Sequence, residues 1–64
     1  MSDKMAVNHI KALHILYDCG VLNELNAQRL YDSMKAEIKQ PASGYFYIND
    51  VYDFAENQVK ELIA

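Results

Sequence analysis

Apolar residues recur at helical intervals in three stretches of this chain, and the first stretch opens the sequence. A cap at Ser2 or Asp3 would begin a helix that runs to about Cys19. Ile15 falls on the polar side of this helix, which makes it a candidate self-association contact. The predicted core-facing stripe consists of Ala6, Ile10, Leu13 and Tyr17, flanked by His9 and Leu16.

A glycine-stopped turn predicts the second helix. Gly20 supplies the left-handed residue that ends the first helix, and Val21 can then fold back onto it. Asn23 or Asn26 would cap the next helix, which reaches about Lys39. Because the connection is short, the two helices are expected to form an antiparallel hairpin. The apolar stripe of the second helix is Ala27, Leu30, Tyr31, Met34 and Ile38.

Residues 40–44 contain the only proline and one of the two glycines, and they break the pattern. Residues 45–48 are all aromatic or branched, but the chain has no second run of this kind. An extended aromatic loop is therefore expected, with a strand paired to a second copy as the alternative. Asn49 would cap a third helix to about Ile63, whose stripe is Val51, Tyr52, Ala55, Val59 and Leu62, with Phe54 at its edge.

These elements predict an all-α fold, a small three-helix domain with an antiparallel helical hairpin and a C-terminal helix after a Pro/Gly aromatic linker. Residues 1–64 form one domain. The motif Leu13-x-x-Leu16-x-x-x-Gly20-Val21-Leu22-Asn23 resembles the helix–glycine–turn–helix pattern of bacterial short C-terminal (SHOCT-like) hairpins. That resemblance covers less than half of the chain and implies no function here, because Leu25, Asn26 and Ala27 replace the acidic pair and aromatic residue of that family.

Size and composition narrow the classes of function. A chain of 64 residues buries little core, so a homodimer is the expected source of added stability. The single Cys19 excludes an internal disulfide and fits a reducing cytoplasm. The N-terminus has no basic leader with an apolar run, and no apolar stretch approaches the roughly 20 residues of a membrane span. We therefore expect a cytoplasmic protein without a membrane partner.

Catalytic and metal-binding chemistry is not expected. His9, His14 and Cys19 are five residues apart, so successive side chains turn about 140° around a helix and do not converge on one ion. Cys19 would lie at the negative end of a helix dipole, which disfavours a thiolate. Gly20 and Gly44 stand alone, so no phosphate-binding loop is present. We expect neither an enzyme nor a cofactor.

The segment 44–56 holds five of the seven aromatic residues beside three carboxylates. Residues 1–40 are electrically neutral, whereas residues 41–64 carry one lysine against four acidic side chains, a net charge of −3. Helix dipoles and packing explain part of this, because Asp50 and Asp53 suit a first helical turn and Glu56 can pair with Lys60. Exposed tyrosines beside carboxylates nonetheless favour an interface. The candidate partner-binding residues are Tyr45, Tyr47, Asp50, Tyr52, Asp53 and Glu56.

The sequence thus favours a non-catalytic regulator or inhibitor that binds a basic surface of a target protein. Its small size suggests an origin in a phage or other mobile element. One alternative is a dimeric DNA-binding transcriptional regulator that uses Gln28, Arg29, Lys35 and Lys39 of the second helix. Direct nucleic-acid binding is disfavoured by the calculated pI near 5.1. A second alternative is a structural subunit whose faces only pack on neighbours.

Overall fold

A computed structural model describes the backbone of residues 5–63 and the side chains of residues 5–61. Three helices are joined by a small sheet, so the prediction of a purely helical domain is wrong. The predicted caps Ser2 and Asp3 and the predicted stripe residue Leu62 lie outside the described side chains. The elements are β1 (Ala6–Asn8), α1 (His9–Asp18), α2 (Ala27–Glu37), β2 (Tyr45–Tyr47) and α3 (Ile48–Ile63).

The aromatic run forms a strand that pairs within the chain. β2 lies antiparallel to β1, with Val7 opposite Phe46 and Asn8 opposite Tyr45. Just beyond the paired residues, the backbone N–H of Ile48 donates to the carbonyl oxygen of Met5 at 2.8 Å. The predicted aromatic loop is therefore replaced by a strand. Its partner is the three-residue segment that the sequence pattern had assigned to the first helix.

Helix α1 begins later than predicted and turns a different side to the core. The side chain of Asn8 caps it by accepting the backbone N–H of Lys11 at 2.8 Å. The buried residues are Ala12, Ile15 and Leu16, whereas Ile10 and Tyr17 of the predicted core stripe are 66% and 63% exposed.

The predicted place of Ile15 on the polar side of α1 is wrong for the same reason. Ile15 is only 5% exposed and belongs to the core of the single chain. The rest of the chain already covers this side chain, so it offers little surface to a second copy. We therefore do not propose Ile15 as a self-association contact.

The turn after α1 confirms the predicted role of Gly20, which has φ +81°. The N–H of Gly20 donates to the carbonyl of Tyr17 at 3.0 Å, and the N–H of Val21 donates to that of Leu16 at 3.1 Å. This pair of bonds is a Schellman motif, which satisfies carbonyls that the end of the helix leaves open. Val21 is buried, as the pattern predicted.

Helix α2 presents the predicted stripe to the core, with Leu30 and Met34 buried. The asparagines before it stabilise the turn rather than cap the helix. Asn26 occupies the cap position without a side-chain capping bond, and its amide donates to the carbonyl of Val21 at 3.0 Å. Asn23 accepts the backbone N–H groups of Leu25 and Asn26. The turn is therefore held by side chain–backbone bonds.

Helix α3 closes the core by packing against α1 and β2, and α1 also contacts both strands. Because α1 packs more extensively on α3 than on α2, the predicted antiparallel hairpin is not the main packing unit. α3 begins at Ile48, one residue before its predicted cap Asn49, and exposes half of Tyr52. The buried hydrophobic residues are Ala12, Ile15, Leu16, Val21, Leu30, Met34, Phe46, Val51, Phe54 and Ala55.

Candidate protein-binding surface

The partner-binding residues predicted on α3 lie on two flanks of that helix. Asp50, Asp53 and Asn57 are three and four residues apart, so they share one flank. Tyr52 and Glu56 share the other flank by the same spacing. The buried side of α3 faces the core between these flanks, and each flank borders a different cleft.

The first cleft, here called the acidic cleft, has a volume of about 250 Å³ and lies between the end of α2 and the beginning of α3. Phe54 is nearly fully buried and Ile38 is half-buried, so these two side chains form an apolar floor. Polar and charged side chains form the remainder of the lining, which comprises Glu37, Lys39, Asp50, Asp53 and Asn57. The lining therefore contains three carboxylates and one ammonium group around an apolar base.

Among the described side chains, the carboxylates of the acidic cleft form no ion pair with a cation. Over the residues whose side chains are described, ion pairs join His14 to Asp18 at 3.4 Å and Glu56 to Lys60 at 3.3 Å. Glu37, Asp50 and Asp53 form no ion pair within that part of the molecule. Asp50 lies in the first turn of α3, where the helix dipole stabilises its charge.

The second cleft is apolar and has a volume of about 270 Å³. It lies where the end of α1 meets α3, and it is lined by Cys19, Tyr52, Ala55, Glu56 and Val59. The carboxylate of Glu56 pairs with Lys60, and both side chains are about 70% exposed. An exposed pair of this kind contributes about 0.3–0.5 kcal/mol. The structure therefore separates Tyr52 and Glu56 from the acidic cleft.

Tyr45 and Tyr47 belong to the sheet. Successive strand side chains point to opposite faces, so Tyr45 and Tyr47 lie on the face away from the buried ring of Phe46. Tyr45 is 46% exposed, and Tyr47 is half-buried. The six candidate residues thus occupy three places: the acidic cleft, the apolar cleft and the outer face of the sheet.

The part of the acidic cleft formed by the end of α2 and the residues after it could not be predicted from the sequence. Glu37 is the last residue of α2, and Ile38 and Lys39 follow it. In the sequence, Ile38 was predicted as part of the apolar stripe and Lys39 only as a DNA contact of the alternative. Their meeting with Asp50 and Asp53 depends on how α2 and α3 pack, which no local spacing in the sequence encodes.

An aromatic cluster helps to set that packing. The ring of Tyr31 on α2 meets Phe46 edge-on at 6.1 Å between centroids and meets His9 at 6.2 Å. The ammonium of Lys35 lies 5.3 Å from the centroid of the Tyr31 ring. Edge-to-face contacts in this distance range are favourable. They anchor α2 to the sheet and to the first turn of α1.

Three further features of the described region concern metal binding, thiol chemistry and membrane crossing. Within residues 5–63, no three His, Cys, Asp or Glu side chains are placed to hold a metal ion, the acidic cleft included. Cys19 is a free, exposed thiol. None of the helices between residues 5 and 63 combines the length and apolarity needed to cross a membrane.

Comparison with known proteins adds no relative. No protein-family model, curated protein or solved structure matches this chain. No family model supports the resemblance of residues 13–23 to SHOCT-like hairpins.

Proposed function

We propose that this chain is a non-catalytic protein-binding regulator or inhibitor whose acidic cleft binds a basic surface of a target protein. The observation that carries the proposal is the set of three carboxylates, Glu37, Asp50 and Asp53, arranged around an apolar floor without a cationic partner in the described part of the chain. The exposed thiol of Cys19 suits a reducing cytoplasm, where we place the protein.

An arginine or lysine side chain of the target has the chemistry that this cleft requires. Its aliphatic stem can lie on Ile38 and Phe54 while its charged head meets the carboxylates at the rim. An excess of negative charge also steers a basic partner during encounter. A salt-sensitive association rate is the corresponding kinetic expectation.

The exposed tyrosines would extend the contact. Tyr52 is half-exposed, and Tyr45 lies on the outer face of the sheet. Phenol rings supply large, stiff contact areas with a polar end, and they are enriched among residues that dominate binding energy. In this proposal the acidic cleft orients the target. Tyr45 or Tyr52 adds affinity when the bound target covers it.

The test begins with capture of the target from the native host by the immobilised chain, followed by titration of the captured protein. Changing Asp50 and Asp53 together to asparagine should weaken binding at low salt by at least about tenfold, as expected for the loss of two charge-assisted contacts. The matched control changes Glu24 and Glu61 to glutamine, which removes the same net charge from exposed positions outside the cleft. Equal losses for the two variants would contradict a role for the cleft.

A DNA-binding regulator remains the alternative hypothesis. Arg29 and Lys35 are exposed on α2, but Asp32 and Glu37 share that helix, and the amide of Gln28 donates to Asp32 at 3.1 Å. A gel-shift series over a range of salt concentrations separates the two hypotheses, because phosphate contacts give a steep salt dependence. Tight, steeply salt-dependent DNA binding with no captured protein would overturn our proposal.

A further inference from the structure

Helix α1 is apolar on two opposite sides. Ala12, Ile15 and Leu16 face the core, whereas Ile10 and Tyr17 are about two-thirds exposed on the outer side. Half-buried Leu13 lies between them, so Ile10, Leu13 and Tyr17 form a stripe at helical spacing, here called the outer stripe. A helix that is apolar on both sides is normally covered on both. Among the residues described, the chain covers only the side of α1 that carries Ala12, Ile15 and Leu16.

We infer that the outer stripe of α1 binds a second copy of this chain in an antiparallel, two-fold pair. In that arrangement Ile10 of one copy meets Tyr17 of the other, and the two Leu13 side chains lie near the symmetry axis. A two-fold contact uses the same patch on both copies, so the patch must be complementary to itself when reversed.

The charged edge of α1 meets this requirement. Lys11, His14 and Asp18 follow one another along the edge beside the outer stripe. Antiparallel pairing brings Lys11 of each copy to Asp18 of the other, forming two equivalent ion pairs. Parallel pairing would place the charged edges of the two copies on opposite sides of the contact, so neither ion pair could form. The antiparallel order also aligns opposite ends of the two helix dipoles. Charge complementarity therefore favours a second copy and fixes its direction.

The contact is small. A helix of ten residues is about 15 Å long, so this contact is smaller than the roughly 800 Å² that each partner buries in a standard interface. We therefore expect a weak, reversible dimer that forms at high protein concentration. The acidic cleft is built from α2 and α3, so each dimer would present two clefts. The dimer does not depend on the proposed function.

Sedimentation equilibrium over a range of concentrations tests the inference on the full-length chain. The wild type should show a monomer–dimer equilibrium. Changing Ile10 and Tyr17 together to serine should weaken dimerisation by at least about tenfold, because it removes most of the exposed apolar area of the stripe. Both side chains are largely exposed, so far-UV circular dichroism should show the fold intact. Leu25→Ser is the matched control, since Leu25 is 98% exposed in the turn before α2.

Charge exchange tests the direction of the pair. Lys11→Asp alone and Asp18→Lys alone should each weaken the dimer at least about threefold to tenfold, because each removes two exposed ion pairs and puts like charges in their place. The double exchange should restore wild-type affinity, because the carboxylate introduced in each copy would face the ammonium group introduced in the other. Parallel pairing predicts little effect of either single exchange, because the two charged edges do not meet in that arrangement.

Two results would overturn the inference. One is a wild type that stays monomeric up to about 1 mM, a concentration that corresponds to only about 4 kcal/mol of association free energy. The other is a dimer that Leu25→Ser disrupts and the Ile10/Tyr17 variant leaves intact. A monomer whose captured target covers the outer stripe would likewise assign this surface to the target instead of a second copy.

Discussion

Val7 and Phe46 lie directly opposite each other in the antiparallel sheet, and the ring of Phe46 is completely buried. This contact joins two segments that are far apart in the sequence. It also brings the aromatic ring under Tyr31 of α2. The small sheet therefore connects the N-terminal strand, α2 and α3 around one side chain.

Phe46→Ala should unfold the domain or nearly so. Removing a buried phenylalanine ring costs about 3–5 kcal/mol, and a core of this size rarely supplies more than that in total. Circular dichroism during urea denaturation measures the loss. Tyr45→Ala is the neighbouring control, because Tyr45 lies on the outer face of the same strand and should cost much less. Similar losses for both variants would show that Phe46 is not central to the core.

The strand that contains Val7 could not be predicted from local pattern. Only one large apolar residue lies among Ala6, Val7 and Asn8, and the segment continues smoothly into a helical pattern. Its strand conformation comes from pairing with the distant aromatic segment 45–47. Gly20 is the opposite case, because the left-handed turn and the return of Val21 depend on neighbouring residues alone, and both predictions are confirmed.

Asn8→Ala should reduce the free energy of unfolding by about 1 kcal/mol, since it removes the side-chain acceptor that caps α1. Asn49→Ala provides the comparison. The sequence pattern placed a cap at Asn49, but this residue lies within α3, where alanine should be neutral or slightly stabilising. Thermal unfolding of both variants distinguishes the two cap assignments. A larger loss at Asn49 than at Asn8 would favour the sequence-based assignment over the structure.

Gly20→Ala should reduce stability by about 1–2 kcal/mol through backbone conformation alone, because φ at this position is +81°. An added Cβ meets no atom within 4 Å, so no steric clash contributes. Gly20→Asn is the informative control, since asparagine adopts left-handed conformations more readily. Denaturant midpoints should fall in the order glycine, asparagine, alanine. Equal losses for asparagine and alanine would argue against a conformational cause.

Which side of α1 faces the core could not be predicted from the sequence either. Two stripes fit helical periodicity equally well, one through Ile10 and Tyr17 and the other through Ile15 and Leu16. The predicted stripe began at Ala6, but this residue lies in β1 and not in the helix. For α3 the buried positions Val51 and Ala55 were predicted, and the helix begins two residues before the start set by the predicted cap Asn49. The acidic cleft could not be predicted either, because it forms only where the end of α2 packs beside α3.

Tyr31→Leu should lower the free energy of unfolding by about 1 kcal/mol beyond any change in buried area. The ring of Tyr31 lies edge-on to both His9 and Phe46, and aromatic pairs of this geometry contribute about 0.5–1.5 kcal/mol. Tyr31→Phe retains the ring and should restore most of the stability. Urea denaturation compares these two variants with Tyr17→Leu, a tyrosine substitution at an exposed position of α1. If Tyr31→Leu and Tyr17→Leu have equal effects, the aromatic cluster does not anchor α2, and the position of Glu37 beside Asp50 must depend on other contacts.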